Sequence, residues 1–300
     1  MEAKFKLDYA DTISEFEKIL KKFNLKRKIY RLLFNSRGLE FEQFRDFSED
    51  EDAGAIDWAA SSRANKLLAR QYIEERDIDF FFAVDISKNM LFGSRNKLKA
   101  EYSADLTISL ASLVLSSNDN AGLITFNEKI VNYLRPNNSK NQLFIIEKNL
   151  SDSKKYGHTA DFNILFNFLF NTIKKRNTVV ILISDFLYGL PELEKNLKML
   201  SSKCEVIALA VRDPMDLELP HTKDLLVLSN SQGSNTMVID SSISGAAYKR
   251  ITEERIKKLR NIFKNTEVDL LELRTNESFV IPIVNFLQER SKGAEHGTVV

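Results

Sequence analysis

The sequence DFFFAVD at residues 79–85 decides the fold class, because it is apolar almost throughout and ends in a carboxylate. A run of this length and composition is typical of a strand that is buried on both faces of a sheet. Similar runs follow at 121–127 (AGLITFN), 178–185 (TVVILISD) and 204–213 (CEVIALAVRD). These segments predict the strands of one sheet.

Helical patterns separate the predicted strands. The segments 96–117, 159–175 and 191–203 each repeat apolar residues at helical spacing. Strands that alternate with helices indicate a mostly parallel sheet with helices on both faces. A hairpin at 225–240 and a final helix, strand and helix complete the pattern, so we expect a Rossmann-like α/β domain over residues 77–290.

The residues on either side of this domain differ from it in pattern. Residues 1–76 predict a helical and irregular appendage that packs on the core: 12–34 has helical spacing, whereas 37–77 is acidic at first and lacks a clear period. We expect Trp58 to anchor this packing. The tail 291–300 is expected to be disordered.

The composition excludes several classes of function. Lys and Arg number 43 against 42 Asp and Glu, so no global charge attracts nucleic acid or anionic lipid. The single cysteine, Cys204, cannot form an internal disulfide, which favours a reducing compartment. No leader peptide or membrane-spanning apolar run is visible. We expect a cytoplasmic protein that binds no nucleic acid, and the basic N-terminal helix leaves a peripheral membrane contact open.

Polar residues at the ends of the strands form the candidate site. The candidates are Asp85, Ser87 and Asn89 after the first strand, Thr159 in the loop before a helix, and Asp185 at the end of a later strand. Ligands gather outside the carboxyl ends of the strands in an open α/β sheet. Oxygen donors of this kind suit Mg²⁺ or Mn²⁺ better than zinc. Because the site has only two acids, a bound ion would keep water ligands or take a carboxylate from a partner. Each of these residues, considered singly, also fits the role of a helix cap.

The same residues resemble a known motif. DISKN at 85–89, followed by GHT at 157–159 and ISD at 183–185, is similar to the metal-ion-dependent adhesion site of von Willebrand factor A domains, written Asp-x-Ser-x-Ser, then Thr, then Asp. The resemblance implies that these residues hold the ion directly or through water. Asn89 departs from the motif, which has Ser at this position, although its side-chain oxygen can still coordinate a metal.

A second resemblance covers roughly residues 36–275. The block from Arg37 to Arg76, with ISDF at 183–186 and RDPMDLELP at 212–220, resembles the bacterial family numbered fifty-eight among domains of unknown function. The chain departs mildly from the family pattern at 49–52 and at His158. The resemblance implies a von Willebrand factor A-like domain that works with a MoxR-type AAA+ ATPase as an adaptor in chaperone-like maturation.

The sequence therefore predicts a non-enzymatic, metal-dependent module that binds a protein, namely an AAA+ ATPase, its client or both. An enzymatic alternative is a phosphatase of the haloacid-dehalogenase type with Asp85 as nucleophile, but this chemistry needs an acid where Ser87 stands. The glycines form no phosphate-binding loop motif. A further alternative is a structural interaction protein whose metal site is vestigial.

Overall fold

The computed structural model describes residues 5–22, 40–47, 56–73, 78–174, 177–187, 190–220, 222, 225–229 and 236–296. Its strands in chain order are β1 (Glu40–Asp46), β2 (Leu68–Ile73), β3 (Asp79–Asp85), β4 (Asn120–Phe126), β5 (Ile130–Asn137), β6 (Thr178–Ser184), β7 (Glu205–Arg212), β8 (Leu225–Ser229), β9 (Thr236–Asp240) and β10 (Asp269–Arg274). Its α-helices are α1 (Tyr9–Lys22), α2 (Trp58–Ala64), α3 (Lys99–Ser116), α4 (Gln142–Ser151), α5 (Phe162–Thr172), α6 (Leu190–Ser201), α7 (Pro214–Leu217), α8 (Ser241–Asn265) and α9 (Val280–His296). Short 3₁₀ turns cover Lys88–Leu91 and Ser153–Lys155.

The chain divides into two compact units. The first contains Met1–Lys26 and Asp77–Phe286, and the second contains Arg27–Arg76 and Leu287–Val300. Helix α1 thus belongs with the α/β core, whereas the sequence predicts one appendage over residues 1–76. The reason is local packing, because Phe16 is fully buried and α1 lies against α3. Helix α9 continues to His296, into the segment predicted as a disordered tail.

The first unit is built on a sheet with the order β10-β7-β6-β3-β4-β5. All of its neighbouring strands are parallel except β4 and β5, which pair antiparallel. Numbered along the chain within this sheet, the order is 3-2-1-4-5-6, which is the doubly wound order of Rossmann-like folds. The predicted α/β, von Willebrand factor A-like fold is confirmed.

The core lies on both faces of this sheet. Successive side chains of a strand point to opposite faces, and Phe81 and Ala83 of β3 join a buried cluster with residues of α5, α6 and α8. Helix α3 packs on β3 and β4 but contributes nothing to that cluster. It therefore covers the opposite face, where Phe80, Phe82 and Val84 are buried.

The second unit contains the ribbon of β1 and β2 and the short helix α2. The two strands pair antiparallel, with an irregularity between Phe41 and Gln43. The sequence predicts the strand at β2 but not the one at β1, because its acidic composition and the bulge hide the two-residue period. Asp57 caps α2 by accepting a hydrogen bond from the Ala60 amide at 2.9 Å. Trp58, which the sequence suggests as a packing anchor, is 67% exposed.

The predicted hairpin near the C-terminal part is present as β8 paired antiparallel with β9. Its expected turn at Gly233 lies outside the described residues. In the part of the chain that the structure describes, none of the helices combines the length and the apolar character needed to cross a membrane.

Candidate metal centre

The sheet topology places the candidate site at the junction of β3 and β6. The chain leaves β3 toward β4 on one side of the sheet and later returns to β6 on the other side. Such a reversal opens a crevice beyond the carboxyl ends of the two strands. Asp85 is the last residue of β3, and Asp185 directly follows the last residue of β6, so both predicted acids lie at this crevice.

Asp85 is buried, with 1% of its surface exposed. Its Oδ1 accepts a hydrogen bond from the Ser87 amide at 2.8 Å, and its Oδ2 accepts one from Ser184 Oγ at 2.7 Å. Burial and then the negative charge of Asp185 raise the pKa of Asp85 to about 6, although these hydrogen bonds lower it. The carboxylate is thus held in a fixed geometry, but it forms no ion pair with any residue that the structure describes.

Ser87 is fully buried at the start of the 3₁₀ turn that follows β3. Its hydroxyl lies close enough to Asp85 to lower the pKa of that carboxyl, yet Oγ makes no hydrogen bond of normal geometry with any described residue. An unsatisfied buried hydroxyl costs about 1–3 kcal/mol relative to a bonded one. Ser87 Oγ is therefore an oxygen available to a ligand.

Two loops bring the remaining motif residues to the same edge. The Gly157 amide donates to Ile86 O at 2.9 Å, and the Lys88 amide donates to His158 O at 2.8 Å. These bonds fix the loop that carries Thr159 against the loop after β3. Thr159 is exposed and Asn89 is half-buried. Their role as ligands stays a prediction.

Asp185 is also buried, but it already has a cation as its partner. Lys99, the first residue of α3, places Nζ 2.8 Å from Asp185 Oδ2 and 2.9 Å from Asp216 Oδ2. Only 1% of the Lys99 side chain is exposed. Burial opposes the charge on Lys99, but Asp185 and Asp216 outweigh it and raise the pKa of the ammonium group. The Leu187 amide donates to the other oxygen, Oδ1, at 3.1 Å.

One further acid at this edge, Asp213, was not anticipated from the sequence. Asp213 follows β7 and is fully buried. It accepts hydrogen bonds from the amide and hydroxyl of Ser94, from the Met215 amide and from Thr275 Oγ1. The rule that polar residues close the strands could have identified Asp213 after CEVIALAVR, whereas nothing in the sequence distinguishes Lys99 from Lys97, which precedes the helix.

The oxygen donors at this site suit a hard divalent ion, but the two described best, Asp85 and Ser87, do not complete its coordination shell. Among the described residues, no group of three or more His, Cys, Asp or Glu side chains could hold a metal. Asp85 and Ser87 offer a carboxylate and an unpartnered hydroxyl, which are oxygen ligands of the kind that Mg²⁺ and Mn²⁺ prefer. The remaining positions would be filled by Asn89, Thr159, water or a partner.

The model of the family described as "Protein of unknown function DUF58" matches residues 43–257 of the chain. The chain belongs to this family. DUF58 therefore covers most of the ribbon of the second unit and most of the α/β unit, including every predicted metal ligand. The resemblance to family fifty-eight drawn from the sequence blocks is confirmed.

Relatives of this DUF58 protein are found among mycobacteria. The uncharacterized protein Mb1516 of Mycobacterium bovis is 24% identical over 263 residues, which cover 87% of this chain and 82% of the relative. The uncharacterized protein MAV169 of Mycobacterium avium is 30% identical over 125 residues, covering 41% of this chain and 73% of that protein.

Solved structures with a similar arrangement are more distant. The conserved hypothetical protein BatB from Bacteroides thetaiotaomicron is 17% identical with a TM-score of 0.49, covering 71% of this chain and 98% of that chain. The SpRpn10 VWA domain is 8% identical with a TM-score of 0.41, covering 69% and 93%. Both TM-scores are below 0.5, so the fold assignment rests on the strand order described above.

Proposed function

We propose that this chain is a non-enzymatic module that binds a protein partner through a divalent metal ion, held by Asp85, Ser87, Asn89, Thr159 and Asp185. The observation that carries the proposal is the buried Ser87 hydroxyl, which lies beside the carboxylate of Asp85 but makes no hydrogen bond of normal geometry among the described residues. A Mg²⁺ or Mn²⁺ ion at this point would satisfy the hydroxyl and compensate the charge on Asp85.

The site has few acids, which supports a role in which the ion helps to bind a protein partner rather than one in which the chain stores the ion. Asp85 and Asp185 are the carboxylates of the motif, and Asp185 already accepts a hydrogen bond from Lys99. Mg²⁺ demands a nearly octahedral shell and keeps water where the protein supplies few ligands. A carboxylate of a partner could replace one of these waters. Binding of the metal and of the partner would then strengthen each other by the same factor.

The partner that we propose is a MoxR-type AAA+ ATPase, its client or both, with the chain acting in the cytoplasm as an adaptor in chaperone-like maturation. This part of the proposal rests on the family resemblance described from the sequence. A phosphatase of the haloacid-dehalogenase type is disfavoured, because its general acid would stand where the chain has Ser87. A hydroxyl cannot deliver a proton as a carboxylic acid does.

Thermal unfolding with and without millimolar Mg²⁺ or Mn²⁺ tests the metal site, because an ion that binds only the folded state raises the unfolding midpoint. At a hundredfold excess over the dissociation constant, the free energy of unfolding rises by about 2.7 kcal/mol. We expect this rise in the wild type and its absence in Asp85→Ala. Asp79→Ala is the matched control, since it removes the carboxylate at the other end of β3 and should keep the rise.

If neither ion raises the midpoint of the wild type, the motif is vestigial and the chain is a structural interaction protein, or the site forms only when the partner is present. The adaptor role needs its own experiment, which is binding of the purified chain to a MoxR-type ATPase. Comparing Asp85→Ala with Asp79→Ala avoids a chelator, which would also strip Mg²⁺ from the nucleotide of the ATPase. We expect Asp85→Ala alone to lose binding; equal binding by both variants would mean that the metal does not bridge the partners.

A further inference from the structure

Lys99 is a buried cation at the edge that carries the candidate metal site. Its ammonium group lies between two carboxylates, 2.8 Å from Asp185 and 2.9 Å from Asp216. The Phe92 ring lies beneath it, with the centroid 5.8 Å from Nζ. Because the side chain is only 1% exposed, solvent cannot screen or replace these contacts. The ammonium group is a fixed part of the site.

The positive charge is distributed unevenly over the acids of this edge. Lys99 contacts Asp185 and Asp216, while Asp85 accepts hydrogen bonds from an amide and a hydroxyl and forms no ion pair within the described ranges. Both oxygens of Asp185 are engaged, one with Lys99 and the other with the Leu187 amide. A dication beside Asp85 and Ser87 would therefore find the Asp185 carboxylate already paired with the ammonium group of Lys99.

We propose that Lys99 sets the affinity of this site for divalent ions, by competing with the ion for Asp185. This inference rests on the proposed function, since it concerns the same site. A dication that binds at Asp85 and Ser87 is repelled by the ammonium charge and must share the Asp185 carboxylate with it. The affinity of the site for divalent ions is consequently low in the isolated chain. A carboxylate supplied by a partner adds negative charge and so raises this affinity.

The test must remove Lys99 without leaving both of its buried acids uncompensated. A single Lys99→Met substitution would strand Asp185 and Asp216 and destabilise the fold. The double variant Lys99→Met/Asp216→Asn removes one charge of each sign, so the net charge of the cluster stays the same while Asp185 becomes available. Lys97→Met/Asp105→Asn is the matched control: it removes a neighbouring Lys–Asp pair of 2.5 Å that lies at the same end of α3 but does not contact Asp185.

Binding of Mn²⁺ to the full chain is measured by the electron paramagnetic resonance signal of the free ion. We expect Lys99→Met/Asp216→Asn to bind Mn²⁺ at least tenfold more tightly than the wild type, and the control pair to bind as the wild type does. Adding Asp85→Asn to the Lys99 variant should abolish the tight binding. A gain in affinity cannot come from damage to the fold, which would weaken the site.

Two results would overturn the inference, and they have different meanings. In the first, the Lys99 variant binds Mn²⁺ no more tightly than the wild type, while Asp85→Asn abolishes binding in the wild type. The metal site is then present, but Lys99 does not compete with the ion. If neither the wild type nor the Lys99 variant binds Mn²⁺, the metal site itself is absent and the proposed function fails with this inference.

Discussion

Ser87 and Ser184 are both buried at the carboxyl edge of the sheet, but their hydroxyl groups are used differently. Ser184 Oγ donates to Asp85 and accepts from the Phe186 amide at 3.1 Å, whereas Ser87 Oγ has no partner within the described residues. A residue that serves only the fold is expected to be satisfied within the fold. The fold therefore constrains the Ser184 hydroxyl more than the Ser87 hydroxyl.

We predict opposite effects on stability when each of these serines is replaced by alanine in metal-free buffer. Ser184→Ala should lower the free energy of unfolding by about 1–3 kcal/mol, because it leaves buried polar groups unpaired. Ser87→Ala should be neutral or slightly stabilising, but should abolish the response of the unfolding midpoint to Mn²⁺. Urea denaturation measures both changes. A loss of stability in Ser87→Ala equal to that in Ser184→Ala would show that the Ser87 hydroxyl has a structural partner.

The pKa of Asp85 predicts how stability depends on pH. Burial and the charge of Asp185 raise this pKa to about 6, so the folded state holds the proton more tightly than the unfolded state does. The stabilisation from this group is complete below the unfolded pKa and is lost as the pH rises through 6. In the absence of metal, Asp85→Asn should therefore gain stability relative to the wild type on going from pH 5 to pH 7.5, by about 1 kcal/mol.

Urea denaturation of both proteins at the two pH values, in the presence of a chelator, measures this difference. A constant difference between Asp85→Asn and the wild type would mean that Asp85 titrates at its ordinary pKa. Mn²⁺ binds the ionised carboxylate, so the ion should stabilise the wild type more at pH 7.5 than at pH 5.

At the scale of the elements, Asp213 joins parts of the chain that are far apart in sequence. It caps α7 through the Met215 amide and accepts hydrogen bonds from Ser94, before α3, and from Thr275, after β10. Asp161, by comparison, caps α5 through the Asn163 amide. The two acids are both helix caps, but only Asp213 also ties neighbouring loops together.

We predict that Asp213→Ala lowers the free energy of unfolding by at least about 3 kcal/mol, because several hydrogen bonds to a buried charged group are lost together. Asp161→Ala should cost only about 1 kcal/mol, which is typical of a lost helix cap. Chemical denaturation of the two variants measures the difference. Equal losses would contradict the view that Asp213 organises this edge of the sheet.

The sequence predicts the elements of the α/β unit well because burial on both faces makes their strands continuously apolar. DFFFAVD and TVVILIS are strands β3 and β6 as expected, and their polar ends locate Asp85 and Asp185. The sequence does not reveal β1, whose bulge interrupts the alternation, or the exposure of Trp58. It also misses Lys99, because the pairing of a lysine with two distant acids depends on the tertiary structure.

For the whole molecule, the order of the strands decides where a ligand can bind. The reversal between β3 and β6 brings Asp85 and Asp185 together, although one hundred residues separate them along the chain. The loops after β3 and before α5 meet at the same place through backbone hydrogen bonds. A single ion at this edge would thus be held by residues from several parts of the α/β unit.

Crystals of the full chain grown with Mn²⁺ would test the metal site most directly, because the anomalous scattering of the ion locates it without assumptions about its ligands. We predict one peak within about 2.1 Å of a carboxylate oxygen of Asp85 and of Ser87 Oγ, with Asn89, Thr159, Asp185 and water supplying the remaining ligands directly or through water. A map with no peak at the junction of β3 and β6, at a Mn²⁺ concentration that saturates binding in solution, would contradict the proposal that this chain binds its partner through a metal ion.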